Sequence, residues 1–262
     1  MPICDLGDLR LTYMDEGDPN GAPLILSHPL GLDLSLWDGL LPLLPSGLRV
    51  IRYDHRGHGG SDCPPGPYAM GSLVRDAERL MDALNVRDAV MLGLSLGGMV
   101  AQGLAVKRLD LVRGLILSNT AARIATTAIW QDRIATVTAQ GLAPLADATL
   151  ARWFARPFRT TPAAQHWRAR LIAANPVGWA ACAAAIAGTD FYTTTASLTL
   201  PTLAIAGTDD GTTPPDMVRE TADLIKGSRF TLIRGAGHLP LIEKPQAYAN
   251  AISEFLRAIG HV

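Results

Sequence analysis

The chain has 262 residues, with 23 Lys and Arg against 24 Asp and Glu for a formal net charge of −1, and 48% of its residues are hydrophobic. That is enough apolar matter for one large domain or two small ones, and too little net charge to hold a polyanion, so neither nucleic acid nor an acidic membrane surface is an expected partner. Cys4, Cys63 and Cys182 have neither CxxC nor Cys/His ligand spacing, which argues against a disulfide framework or a zinc site and for a reduced, intracellular setting. Acidic residues near the start, where a signal peptide needs a basic and then an apolar run, and the lack of any uncharged apolar window of about 18 residues add the expectation of a soluble, cytoplasmic protein.

Short apolar runs bounded by Gly, Pro or Asp alternate along the chain with longer segments of helical period, the pattern of a mostly parallel sheet covered by helices on both faces. In chain order, strands are expected at 9–13, in an antiparallel hairpin with the chain start, and at 23–27, 49–53, 89–92, 114–118, 202–206 and 230–233. Helices are expected at 35–43, 72–84, 96–107, 215–225 and 245–258. The last is marked by Pro245 in its first turn and by Tyr248, Ile252, Phe255 and Leu256 at mostly helical spacing.

Between residues 121 and 198 the alternation stops, and Ala, Thr and four of the five Trp accumulate. This reads as a helical lid inserted into a core formed by 1–120 and 199–262. The insertion carries seven arginines, at 123, 133, 152, 156, 159, 168 and 170, against Asp132, Asp147 and Asp190, a net +4. Such a lid could draw in an anionic ligand.

Gly93-Leu94-Ser95-Leu96-Gly97 follows a strand and opens a helix. A nucleophile elbow has this form, because a sharp strand-to-helix turn lifts the serine hydroxyl above the sheet and only small flanking residues let strand and helix approach. Ser95 is therefore the candidate nucleophile. A serine hydroxyl needs a base and an orienting acid, expected after the elbow in the order acid, then His. The strand 202–206 runs into Gly207-Thr208-Asp209-Asp210 and the strand 230–233 into Gly235-Ala236-Gly237-His238, both at strand ends where open α/β sheets build their sites. Asp209 and Asp210 both qualify locally. The oxyanion hole is expected from the amides of Leu96 and Leu30, since Pro29 has no N–H to donate. Asp54-His55-Arg56-Gly57-His58-Gly59-Gly60-Ser61 has neither a metal-ligand set nor the lysine of a P-loop, so it reads as a structural turn in which Asp54 and Arg56 fix loops.

With these residues in place, the chain resembles the α/β-hydrolase superfamily over essentially its full length. GLSLGG, RYDHRGHGGSD, HPLG, AGTDDGTTPP and GAGHLPLIEKP match its landmarks in their usual order. Within it, RYDHRGHGGSDCPPGPY, LMDALNV, LSNTAARI followed by Trp130 and Arg133, and ADATLARWF are most similar to the 3-oxoadipate enol-lactonases of bacterial aromatic-acid breakdown. The chain departs from them at His28, where a smaller polar residue is usual, and over 160–195. The resemblance implies cofactor-free hydrolysis of a small anionic lactone by Ser95, His238 and Asp210, with Trp130, Arg133 and Trp153 of the lid as candidate substrate contacts. A general carboxylesterase, with or without perhydrolase activity, a carbon–carbon bond hydrolase using the same triad, and a non-catalytic receptor of the same fold are the competing expectations. Oligomeric state is not legible.

Overall fold

The computed structural model describes residues 1–262. Eight strands form one sheet: β1 (Ile3–Asp5), β2 (Arg10–Gly17), β3 (Ala22–Ser27), β4 (Leu48–Tyr53), β5 (Ala89–Leu94), β6 (Val112–Ser118), β7 (Thr202–Gly207) and β8 (Arg229–Ile233), in the order β1-β2-β4-β3-β5-β6-β7-β8. The first three in that order, β1, β2 and β4, pair antiparallel, and every pairing from β4 to β8 is parallel. All six residues of β5 are buried, as expected of a central parallel strand with helices over both faces. The mostly parallel sheet and the hairpin at the chain start agree with the sequence reading.

The helices of the core are α1 (Met70–Ala83) and α2 (Leu96–Lys107), then, after an insertion, α8 (Pro215–Asp223), α9 (Pro240–Glu243) and α10 (Pro245–Ala258). Between β6 and β7 lie α3 (Thr127–Gln140), α4 (Ala143–Trp153), α5 (Pro162–Ala173), α6 (Pro176–Ala187) and the single turn α7 (Tyr192–Thr195). No single helix is long and apolar enough to cross a membrane. The helix expected at 35–43 is replaced by two short 3-10 turns, Leu34–Trp37 and Leu41–Leu43. Gly39 weakens the middle of that segment, and Pro42, which has no N–H for a continuing α-helix, sits in the second turn.

The insertion rests on the loop after β4. Gly57 and Gly178 meet back to back, so that a Cβ on Gly178 would stand 2.0 Å from the Gly57 carbonyl oxygen. Arg56 in that loop is tied to Asp76 of α1 by two buried hydrogen bonds of 2.6 Å. Asp54 accepts the amides of Leu34 at 2.7 Å and Gly60 at 2.8 Å. Both residues thus fix loops, as expected from the sequence.

Three buried imidazoles fill the seam between this loop and the loop after β3. His28 Nδ1 donates to the Pro29 carbonyl at 2.8 Å while its Nε2 accepts the His55 amide at 3.0 Å. His58 Nε2 accepts the Gly31 amide at 3.0 Å, and His55 Nε2 donates to the His28 carbonyl at 3.1 Å. His28 and His58 are needed in their neutral forms, because each must keep an accepting nitrogen. Burial, outweighing the neighbouring hydrogen bonds, lowers His28 to about 4 and His58 to about 3, and pushes His55 well below the ordinary range. Burial raises Asp54 to about 6.

These shifts set a pH dependence of stability. The unfolded chain protonates its histidines near pH 6.5, whereas the folded His28 and His58 stay neutral until about 4 and 3. Their contribution is therefore complete above about pH 6.5 and is lost as pH falls toward the folded values. Asp54 acts in the opposite sense between about pH 6 and the ordinary carboxylate value near 3.9, because there the folded state holds the proton. Three histidines outweigh one aspartate, so the unfolding free energy measured in urea should fall as pH is lowered from 6.5 to 4.5. His58→Gln should flatten that dependence by roughly 1.4 kcal/mol per pH unit, the value of one proton. An unchanged slope would mean that His58 is not held neutral.

Candidate active site

Ser95 stands between β5 and α2 at φ 56° and ψ −113°, a backbone conformation strained for a residue with a side chain. Its neighbours explain the spacing of the glycines. A Cβ on Gly93 would lie 2.2 Å from the Gly97 carbonyl oxygen, and one on Gly97 would lie 2.0 Å from the Ser27 carbonyl oxygen. Strand and helix can come this close only without side chains there, and the closeness forces the sharp turn that presents Ser95.

His238, in the loop after β8, is 1% exposed, and its Nδ1 lies 2.8 Å from Oδ2 of Asp210 in the loop after β7. The same oxygen accepts Asn119 Nδ2 at 2.8 Å and the Thr213 hydroxyl at 2.8 Å, and Oδ1 accepts the amides of Thr212 at 2.7 Å and Thr213 at 3.0 Å. Burial alone would raise the Asp210 carboxyl, but the His238 charge and the hydrogen bonds from His238, Asn119 and the Thr212 amide outweigh it and hold the group below the usual range. Asp209 is exposed and accepts only the Thr208 hydroxyl, at 2.8 Å. Geometry thus separates two aspartates that local sequence left equivalent.

Ser95 and His238 line one pocket with Leu30, Trp130, Arg133 and Trp153, so the expected site residues other than Asp210 and Leu96 share one pocket. Asp210 lies behind His238, and Leu96 follows Ser95 as the first residue of α2, at the positive end of that helix. No direct hydrogen bond joins Ser95 Oγ to His238 Nε2; such bonds commonly close only around a bound substrate. Neither the Leu30 nor the Leu96 amide donates to a protein acceptor, and the Gly31 amide beside Leu30 is taken up by His58.

The lid supplies the rest of the pocket. Trp130 is fixed by its indole N–H, which donates to the Ile124 carbonyl at 2.7 Å, and the Arg133 guanidinium lies over its ring at 4.9 Å. Of the seven lid arginines, Arg123, Arg168 and Arg170 have acidic partners in Asp190, Asp147 and Asp33, and Arg133 has none. The C-terminal turn of α4 is bonded directly to the loops that carry Asp210 and His238. The Arg152 carbonyl accepts the Gly211 amide at 3.0 Å, and the Trp153 carbonyl accepts the His238 amide at 2.7 Å. Glu243 completes the joint, its carboxylate accepting the Gly237 amide at 2.5 Å and the Ala155 amide at 2.9 Å.

Asn119, Thr213, Glu243 and the pocket residues Thr149 and Thr212 carry no mark in the sequence, and Arg152 stands out there only as one of the seven lid arginines. The turn Asp210-Gly211-Thr212-Thr213, an Asp followed by amides two and three residues on, is the one local signal that could have shown Asp210 to be locked by its own turn.

The sequence profile of the alpha/beta hydrolase fold matches residues 22–245. The chain is 32% identical to 3-oxoadipate enol-lactonase 2 of Acinetobacter baylyi over 252 residues, 95% of this chain and 94% of that one. Among solved structures it is similar to the enol-lactonase of Burkholderia xenovorans, at 34% identity with a TM-score of 0.94, covering 98% of this chain and all of the other. It is also similar to a thermophilic esterase of Thermogutta terrifontis, at 33% identity with a TM-score of 0.90, covering 97% of this chain and 95% of that one. The profile match, the full-length relatives and the shared architecture agree with the elbow and strand-end loops, and the chain belongs to the α/β-hydrolase family.

Proposed function

We propose that the protein hydrolyses 3-oxoadipate enol-lactone to 3-oxoadipate through an acyl-enzyme on Ser95, as a step in aromatic-acid catabolism. The observation that carries this reading is Arg133, a half-buried guanidinium stacked on Trp130, without an acidic partner, in the pocket that also holds Ser95 and His238. A substrate with a free carboxylate would supply the missing counter-charge through paired, charge-assisted hydrogen bonds. The enol-lactonase relatives support the same substrate class.

In this mechanism Ser95 Oγ attacks the lactone carbonyl carbon as its proton passes to His238 Nε2, and Asp210 holds the ring through Nδ1 and stabilises its charged form. The tetrahedral oxyanion takes hydrogen bonds from the Leu30 and Leu96 amides, each such donor being worth roughly 3–4 kcal/mol. The ring C–O bond then breaks with its electron pair on the enol oxygen, which takes up the proton from His238, and the enol becomes the ketone. His238 next accepts a proton from water as the hydroxide adds to the acyl carbon. Collapse of that second intermediate returns the proton to Ser95 and releases the acid.

Ser95→Ala and His238→Ala should each lower turnover by several orders of magnitude without unfolding the protein, because members of such a triad act as a unit. Asp210→Asn should be far more damaging than Asp209→Asn, and the reverse order in kcat would show that the other carboxylate orients the base. Arg133→Ala should raise KM for the anionic lactone by an amount equivalent to roughly 1.5–3 kcal/mol while barely affecting a small neutral ester. Equal losses on both substrates would give Arg133 a role in supporting the lid and leave a neutral-ester carboxylesterase as the better reading.

A further inference from the structure

A second guanidinium shares the pocket. Arg152, in the last turn of α4, lines it with Arg133, and no carboxylate contacts either one. Burial lowers both guanidiniums from their ordinary range, and the positive charge of Arg152 adds to the shift at Arg133. Two like charges partly withdrawn from water toward the same space cost free energy that an anionic ligand would offset.

The two arginines are rooted differently. Arg133 lies over Trp130 on α3. Arg152 belongs to the catalytic side, since its carbonyl accepts the Gly211 amide and the next carbonyl accepts the amide of His238. Its only side-chain hydrogen bond in the protein goes to the Thr149 hydroxyl, at 3.1 Å, which leaves most of its five N–H groups without an acceptor. Beside Gly211, Thr212 also lines the pocket, and its hydroxyl oxygen is buried without any partner. The pocket therefore has a second polar pole next to His238, made of a guanidinium and an unsatisfied hydroxyl.

The charge count of the reaction gives that pole a purpose. On the reading above, the substrate enters with one carboxylate and the product leaves with two. We propose that Arg152 and the Thr212 hydroxyl receive the carboxylate that hydrolysis creates beside His238, while Arg133 holds the carboxylate already present. Arg152 is then a specificity-determining residue, and the pocket is a receptor for open-chain dicarboxylates. This inference rests on the proposed hydrolysis for its rationale, but the binding preference it predicts can be measured without turnover.

The test is calorimetric titration of Ser95→Ala protein with adipate and with hexanoate, chains of equal length carrying two charges and one. Adipate should bind roughly tenfold or more tighter than hexanoate, the effect of one further charged hydrogen bond. Adding Arg152→Gln should abolish that preference, and adding Arg152→Lys should restore part of it, which a loss of folding could not do. Thr212→Val should weaken adipate several-fold and leave hexanoate unchanged. Equal affinity for the two ligands, or a preference that survives Arg152→Gln, would overturn the proposal. Failure of the wild-type protein to turn over the lactone while the adipate preference depends on Arg152 would instead reject the hydrolysis reading and leave the subsite standing.

Discussion

A carboxylate taken out of water has to be supplied with donors, and Asp210 has five of them: His238 Nδ1, Asn119 Nδ2, the Thr213 hydroxyl and the amides of Thr212 and Thr213. They come from the ends of β6, β7 and β8, so one buried group draws three strand ends together. In the low dielectric there, each bond is stronger than in water and each missing partner more costly. The imidazole of His238 is held in one orientation because everything around its carboxylate partner is already committed.

The lid joins the same arrangement through main-chain atoms. The last turn of α4 is bonded to the Gly211 and His238 amides, and Glu243 bridges the Gly237 amide to Ala155. A shift of that helix would therefore move the loops of Asp210 and His238 with it. On the opposite side, Gly178 of α6 presses against Gly57, and His58 holds the Gly31 amide next to Leu30. The insertion that supplies Trp130, Arg133 and Arg152 thus leans on both halves of the candidate site, one around His238 and one around the loop after β3.

What could be read from the sequence was what short-range physics writes into neighbouring residues. The parallel strands appear as short apolar runs, the elbow as two glycines flanking a serine, and the histidine as one residue in a Gly-rich strand end. The segment 35–43 misled because its apolar residues have helical spacing, while Gly39 and Pro42 decide its backbone. The pairing of His238 with Asp210, that of Asn119 with Asp210 and the bond from Glu243 to Ala155 depend on residues 28 to 91 positions apart meeting in space. No local pattern records such meetings. The lid arginines show the same limit: their excess over acids is plain in composition, but only the fold separates those paired with Asp190, Asp147 and Asp33 from the two that line the pocket.

The central claim is that a strained, buried serine facing a cationic pocket is the nucleophile. Its most direct test is labelling with an aryl phosphonate ester that carries a carboxylate tail, followed by peptide mass spectrometry, because a phosphonylated serine does not turn over. The account predicts one equivalent of label, located on Ser95, forming far more slowly in His238→Ala protein and requiring higher reagent concentration in Arg133→Ala. Label on another residue, or labelling of Ser95 at an unchanged rate without His238, would contradict it.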